Sequence, residues 1–457
     1  MKLWENGEGR EVSRKLEEFT AGEDILLDKI LVKWDAVGSV AHATMLNRIG
    51  ILSQSELMSL KKALIKVIEL HEKGEFRIEV KDEDVHTAVE NFLTRELGNV
   101  GKKIHTGRSR NDQVMVDIRL YVKEQLLKTQ KNLLKLCREM VAFADKHKNT
   151  PMPGYTHFQK AMPSSVALWM MAHVEALLDD LRVIKTAYEL NDQNPLGSAA
   201  GYGVPLDLDR DFTTKLLGFS NLQNNVLYVQ NSRGKMESIV MSALCQVAID
   251  ITKMSNDIII FSTEEFGFFG LSEDVRTGSS IMPKKRNPDI LELVRGRSNS
   301  VIALTNQVME IVKSVPSGYH RDLQETKGPI IKSLKTMNEC IEIVRMAVAV
   351  LTVNREKLLA AFNQQVFATD EAYKLVSQGI PFRDAYKHVD YNFQAYREDA
   401  PEEAIKKRRY KGTMGNLGIP LVKKRIDREF SRVSEAESGF RKAIDSLLGT
   451  EHSPAQA

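Results

Sequence analysis

The sequence predicts an all-α protein built around a bundle of long helices, and three observations lead there. Proline, which costs a helix interior about 3 kcal/mol, is absent before Pro151 and from residues 206–282 and 330–380. Within 235–266, which also lacks glycine, Val240, Leu244, Val247, Ile251, Met254, Ile258 and Phe261 alternate at spacings of four and three. That is a heptad seam on a helix of about 45 Å. Residues 332–362 repeat the device with Leu334, Met337, Ile341, Val344, Val348 and Leu351.

Taken in chain order, residues 1–108 form a first helical domain that ends in the polar island VGKKIHTGRSRNDQ (100–113). A central bundle domain spans 109–360, with looser apolar periods over 109–146 and 164–192 ahead of the two seams. Between these helices lie PMPGYTHFQKAMP (151–163), NPLGSAAGYGVPLD (194–207), GSSIMPKKRNPD (278–289) and DLQETK (322–327). Residues 361–457 read as a smaller helical domain with shorter segments, the basic run KKRR at 406–409 and the tail EHSPAQA. Each seam packs inside the bundle first. Seams of this length also reach into partner chains, so a homo-oligomer is the second inference.

Composition excludes several classes. The chain has 457 residues and 42% hydrophobic content, enough for more than one compact core. A net charge of +3 gives no global case for nucleic acid or membrane. Cys137, Cys245 and Cys340 are odd in number and show no CxxC spacing, which argues against a disulfide framework and points to a reducing, cytoplasmic setting. No apolar run is expected to reach the roughly 18 residues needed to span a bilayer, and neither export nor membrane insertion is expected from MKLWENGEGREVSRKLEEF.

The islands carry the candidate chemistry. In 278–289, glycine and two prolines break the helix, Ser279 and Ser280 offer hydroxyls, and Lys284, Lys285 and Arg286 can hold an anion; alone, the stretch reads better as a solvated basic loop. HTGRSRNDQ sets Ser109, Arg110 and Asn111 at a helix N-terminus, suited to a carboxylate or to simple capping. His157 lies in a loop bounded by prolines and has a possible carboxylate partner in Glu292 if the two loops converge. DEDVHTAVE (82–90) reads as a capped, solvated turn bearing His86, and GSAAGYG as a close-approach turn. Gln324 and Lys327 fall on one helix face. The ten histidines show no metal-ligand spacing.

Together the islands resemble one family. GSSIMPKKRNPD looks like the signature loop of the fumarase and aspartase superfamily, and HTGRSRNDQV, GYTHFQKAMP, NPLGSAAGYGVPLD and DLQETK narrow the likeness to the argininosuccinate lyases. The resemblance implies an L-aspartase/fumarase-like fold of three domains and a homotetramer whose sites are shared between subunits. It also implies cleavage of argininosuccinate to arginine and fumarate without metal or organic cofactor. Such a reaction needs cations and N–H donors around the carboxylate that takes up the carbanion charge, and Lys285 and Asn287 match that role.

By the same likeness Ser279 removes the proton and His157, oriented by Glu292, protonates the leaving group; the reverse assignment stays open. Asn111, Thr156, Tyr319, Gln324 and Lys327 match substrate-binding positions, with Asp28, His86, Ser109, Arg110, Arg233 and Ser280 as further candidates. Departures from the family pattern are Asp24 where serine is usual, Gly234 where Asp is common, Thr326 in DLQETK and Lys284 for Gln. The competing readings are adenylosuccinate lyase or another fumarate-releasing relative, and a catalytically silent, crystallin-like structural protein. Nucleic-acid binding through KKRRYK (406–411) rests on one charge run, which a solvated helix face explains better.

Overall fold

The computed structural model describes residues 15, 19, 20, 22–79, 82–395 and 400–450. Nine long helices carry the architecture: α1 (Asp24–Arg48), α2 (Gln54–Glu72), α3 (Val85–Leu97), α4 (Arg110–Lys146), α5 (Val166–Asn191), α6 (Lys235–Phe261), α7 (Asp289–Lys313), α8 (Lys327–Ala349) and α9 (Ile419–Leu448). Helices α4 to α8 form a closed ring, each packed on the next, with α8 returning to α4. Both seams are where the sequence put them: Val240, Leu244, Val247, Ile251, Met254 and Ile258 on α6, and Leu334, Met337, Ile341, Val344 and Val348 on α8, are all buried in the main core.

Cross-helix contacts give the directions. Arg119, near the start of α4, donates to Leu190 O at the end of α5, whereas Trp169 near the start of α5 donates to Asp257 near the end of α6, at 2.9 Å. Arg295 at the start of α7 reaches Asn256, also near the end of α6. Arg345 on α8 pairs with Glu139 on α4, both late in their helices. Successive helices from α4 to α8 therefore alternate in direction, and the segments between them gather at the two ends of the bundle. A buried polar layer sets the α4–α8 register: Asn338 donates to Thr129 Oγ1 and accepts from Asn132.

Small β elements punctuate this helical frame. Strands β1 (Pro151–Thr156) and β2 (Gln159–Ser165) form an antiparallel hairpin where the sequence suggested a loop. Several two-residue ladders also occur, including Thr277–Gly278 against Arg286–Asn287. Helix α9 runs back along α4, and its Ile426, Val433, Phe440 and Ile444 join the main core. Two small clusters, Val366, Phe367 and Ala404, and Ala372, Ala385 and Val389, hold the remaining C-terminal segments. In the basic run, Arg408 is committed to Asp370 and Lys406 to Glu403.

The expectation that no stretch is apolar enough to span a bilayer needs correction. Among the described residues α6 meets that criterion by length and composition. Its apolar stretch carries the buried seam, and half of that stretch is buried inside the bundle. All three cysteines are unpaired, two of them buried.

Where α4, α5 and α9 meet, Lys123 is buried with its ammonium on Asp192 and on Gly218 O, at 2.6 Å, among the rings of Tyr188, Phe219 and Phe440. Removing one partner leaves an uncompensated buried charge. Asp192→Ala is expected to cost about 3–5 kcal/mol, read as a lowered urea midpoint, and Lys123→Met combined with Asp192→Leu is expected to recover much of it.

Candidate active site

One end of the bundle holds a cavity of about 320 Å³ at the start of α1, α3, α4, α6 and α8. Eight of the sequence-predicted residues line it: Asp28, His86, Arg110, Asn111, Arg233, Tyr319, Gln324 and Lys327. Ser109 is used otherwise, as the N-cap of α4, accepting from Asn111 N and forming a capping box with Asp112. Asp112 accepts the backbone N–H groups of Ser109, Gly197 and Ala199, tying the glycine turn to the start of α4. Burial pushes its carboxyl up to about 6 against those hydrogen bonds. At Gly201 a Cβ would come within 2.7 Å of Gln230, so the close approach requires glycine.

Most charges at this end are paired. Lys327, on the face it shares with Gln324, is buried between Asp28, at 2.5 Å, and Asp24, at 3.1 Å. Arg110 lies against Glu83 and Asp84 and donates to Thr87 at 2.6 Å. The half-buried Arg108 donates to Ser39 Oγ at 2.8 Å. The arginines of HTGRSRNDQ are thus largely neutralised by acids or committed to the scaffold, which tempers their reading as an anion cradle. Arg233 differs: it is 4% exposed, its guanidinium stacks 5.2 Å from the Tyr319 ring, and its Nε has no hydrogen-bond partner among the described residues.

His86 corrects the expectation of a solvated turn. Asp84 caps α3 as expected, accepting from Thr87 N, but the imidazole is buried against Asp35 at 2.5 Å, with Asp117 at 3.8 Å. Burial works against the imidazolium, yet Asp35, Asp84 and Asp117 outweigh it and hold His86 up at about 9. Burial and the neighbouring Asp35 carboxylate push Asp117 well above the usual carboxylate range. Asp35, His86 and Asp117 are the one set among the described residues with metal-ligand atoms gathered within 4.8 Å. The hydrogen bond from the protonated ring to Asp35 occupies that set.

The other predicted residues lie at the opposite end. Thr156 and His157 stand at the tip of the β1–β2 hairpin, exposed. Thr156 pairs with Gln159, and His157 and Phe158 both adopt positive φ, 54° and 58°, in a two-residue turn that normally demands Asn or Gly. Ser279 follows the short ladder at 277–278, and its Oγ accepts from the backbone N–H of Ile281 and Met282, at 3.3 and 3.0 Å. Ser280, Lys285 and Glu292 are exposed, and Asn287 is half-buried. Lys284 takes φ 70°. Helix-length arithmetic separates the two ends: α4 spans 37 residues, about 55 Å, between Asn111 and the hairpin. Helix α7 adds 25 residues, about 38 Å, between Glu292 and the Tyr319 segment. No hydrogen bond or ion pair joins His157 to Glu292 among the described residues.

Sequence reasoning missed Glu83, Asp84 and Arg321 as cavity residues, and treated Asp24 only as a departure. DEDVH had supplied a signal, and so does the left-handed φ of Glu83, 65°, a conformation that bulky side chains rarely hold outside functional segments.

Known proteins place this geometry in context. A family described as lyase matches residues 10–303. The chain is similar to argininosuccinate lyase from Thermotoga neapolitana, 44% identical over 388 residues, 85% of this chain and 97% of that protein. It is also similar to the enzyme of that name from Bacteroides fragilis, 42% identical over 448 residues, 98% of this chain and 99% of the other. Among solved structures, an EDDS lyase variant with bound fumarate aligns with a TM-score of 0.80 at 21% identity, covering 97% of this chain and 96% of that one. Class II fumarase from Schistosoma mansoni aligns at 0.71 and 16%, covering 86% and 90%. At those identities the structures speak for the fold alone, and the fold is theirs.

The buried His86 yields a pH test. Its folded value of about 9 lies above the ordinary 6.5, so the stability it contributes is fully present below about pH 6.5 and is lost as pH rises through about 9. The urea-midpoint difference between the protein and its Asp35→Asn variant is expected to be largest below pH 6.5 and to shrink across that window. A difference that stays constant to pH 10 would show that His86 is not the buried cation.

Proposed function

The chain belongs to the argininosuccinate lyase family, and from that premise we propose how its residues divide the elimination of fumarate from argininosuccinate, the arginine-forming step of arginine biosynthesis. The observation that carries the reading is Ser279. A serine hydroxyl is a poor base unless its oxyanion is stabilised, and Ser279 Oγ already accepts two backbone N–H groups in the loop that bears Lys285 and Asn287. The alkoxide of Ser279 takes the proton on the succinyl carbon beta to the departing nitrogen. The electron pair moves into the neighbouring carboxylate, where Lys285 and Asn287 meet the charge. The carbon–nitrogen bond then breaks, and His157 delivers a proton to the departing guanidino nitrogen, with Glu292 orienting the ring. Thr156 and Ser280 contribute hydrogen bonds from the same end.

The cavity at the opposite end takes the arginyl part of the substrate. Arg233, buried with its Nε lacking a hydrogen-bond partner among the described residues, supplies a cation for its carboxylate, and Asn111, Tyr319, Gln324 and Lys327 complete the wall. The two ends of one chain stand too far apart to serve one substrate molecule. We therefore assign each site to several subunits of a homotetramer. Supporting this, the bundle helices expose apolar side chains in a monomer, among them Val183 on α5, Ile249 on α6, Leu293 and Met309 on α7, and Met346 on α8.

The division into residues 1–108, 109–360 and 361–457 belongs to the same proposal, with α9 packed on the central bundle. A cytoplasmic location is supported by the three unpaired cysteines.

Purified protein is expected to release fumarate, followed by its ultraviolet absorbance, from argininosuccinate and not from adenylosuccinate; the opposite result would move the chain to another branch of these lyases. Ser279→Ala is expected to lower kcat by about 10²–10⁴ without loss of assembly, and a variant that retained full rate would remove Ser279 from the chemistry. Ser279→Ala and Asn111→Ala chains, denatured together and reassociated, are expected to regain up to about a quarter of wild-type activity. Each intact site then draws its two ends from different chains. Mixtures no more active than the separate variants would contradict the shared site.

A further inference from the structure

Midway along the bundle, the groove between α5 and α9 gathers cations that the proposed chemistry does not use. Its cavity, about 540 Å³, is lined by Arg182 and Lys185 from α5 and by Arg425, Arg428 and Arg432 from α9. Glu189 and Glu429 also line it, and Asp179 stands at its edge against Arg182 and Arg425, at 3.7 and 3.4 Å. Glu429 is likewise shared, by Arg432 at 2.9 Å and Arg428 at 3.5 Å. Lys185 and Glu189 make no ion pair among the described residues. Three acids thus face five cations, and two of those acids are each divided between two arginines. Exposed pairs of this kind hold their partners weakly, so the cations stay available to a ligand.

The helix directions set these cations in two facing rows. Lys131 and Arg138 on α4 pair with Glu437 and Asp427 on α9, so α9 is antiparallel to α4 and runs the same way as α5. Arg425 donates to Leu178 O, which fixes the register, and Arg428 and Arg432 then come level with Arg182 and Lys185. From Arg425 to Arg432 the row extends about 10 Å along the helix. Like charges facing one another repel, and the floor between them, Leu178 and Leu181, is buried and apolar and supplies no counter-charge. The arginine fork matches phosphate oxygens two at a time. A compact anion reaches only one end of such a row, whereas a chain of phosphates follows it and neutralises both sides. No aromatic side chain lines the groove, so nothing there stacks on a nucleobase. We propose that the groove between α5 and α9 is a second binding site of this protein, which takes the phosphate chain of a linear polyanion, either inorganic triphosphate or the triphosphate of a nucleotide.

Titration calorimetry on the full chain, in phosphate-free buffer without magnesium, tests the site with tripolyphosphate, ATP and orthophosphate. Tripolyphosphate is expected to bind tighter than orthophosphate by about tenfold or more, because it contacts several cations at once. Arg428→Glu combined with Lys185→Glu is expected to weaken it by about tenfold or more, whereas Lys62→Glu combined with Lys73→Glu, the same change in net charge at exposed lysines outside the groove, is expected to change it by less than about twofold. Equal weakening by the two pairs would reduce the effect to overall charge and overturn the site. Binding that survives the groove pair unchanged, or no binding of tripolyphosphate to the wild type, would overturn it too. Should charge reversal unfold the chain by circular dichroism, Arg428→Gln with Lys185→Gln adds no acid and is expected to weaken binding in the same direction; tripolyphosphate bound as before would again overturn the site. Equal binding of ATP and tripolyphosphate supports recognition of the phosphate chain from either source, and binding of tripolyphosphate alone supports the inorganic one. ATP bound with tripolyphosphate rejected would show recognition of the nucleoside and overturn the assignment.

Discussion

The stiffness of the bundle helices is the constraint from which the rest follows. An α-helix advances a fixed 1.5 Å per residue, and α4 to α8 run without interruption from one end of the bundle to the other. Every segment that breaks helical periodicity is therefore delivered to one of two ends. The hairpin and the 278–289 loop arrive at one, and the capped starts of α3 and α4 and the 319–327 stretch arrive at the other. The proposed oligomer follows from the same stiffness, because the apolar stripes that hold each helix in its own bundle leave further apolar residues on the outer faces.

Charge is handled differently at the two ends. At the cavity end the buried ions sit in pairs and triads, Lys327 with Asp28 and Asp24, Arg110 with Glu83 and Asp84, His86 with Asp35. Burying ions unpaired would be prohibitive, and pairing them fixes geometry more than it adds stability. Such a wall is preorganised, and Arg233, whose Nε has no hydrogen-bond partner among the described residues, is its exception. At the loop end Lys285 is exposed and the backbone is held in unfavourable conformations at His157, Phe158 and Lys284. Each such residue costs about 1–3 kcal/mol. That end presents His157, Lys285 and Glu292 outward, which suits the proposed site completed by a partner.

Much of this was legible in the sequence. The seams of α6 and α8 were readable because a heptad repeat and proline gaps are local signals, and burial followed them residue by residue. The cavity residues were legible as motifs, since a helix start such as SRND or a stretch such as DLQETK carries its spacing in the chain. The role of Ser109 as a cap was one of its two readings, and the structure selects it.

What the chain order could not supply was distance. Asn111 and His157 both match site positions, yet no local pattern shows the 37-residue span of α4 between them, nor that acids some 26 residues upstream face Arg110. The burial of His86 against Asp35 and Asp117 depends on three helices meeting, and the pairing of Lys327 with Asp24 and Asp28 on α1 and α8 coming together. The sequence by itself determined which residue types are present and which helices carry them, because periodicity, capping and helix breaking are short-range physics. Only the tertiary structure decided which charges are satisfied and which face the cavity, because that depends on packing between segments about 300 residues apart.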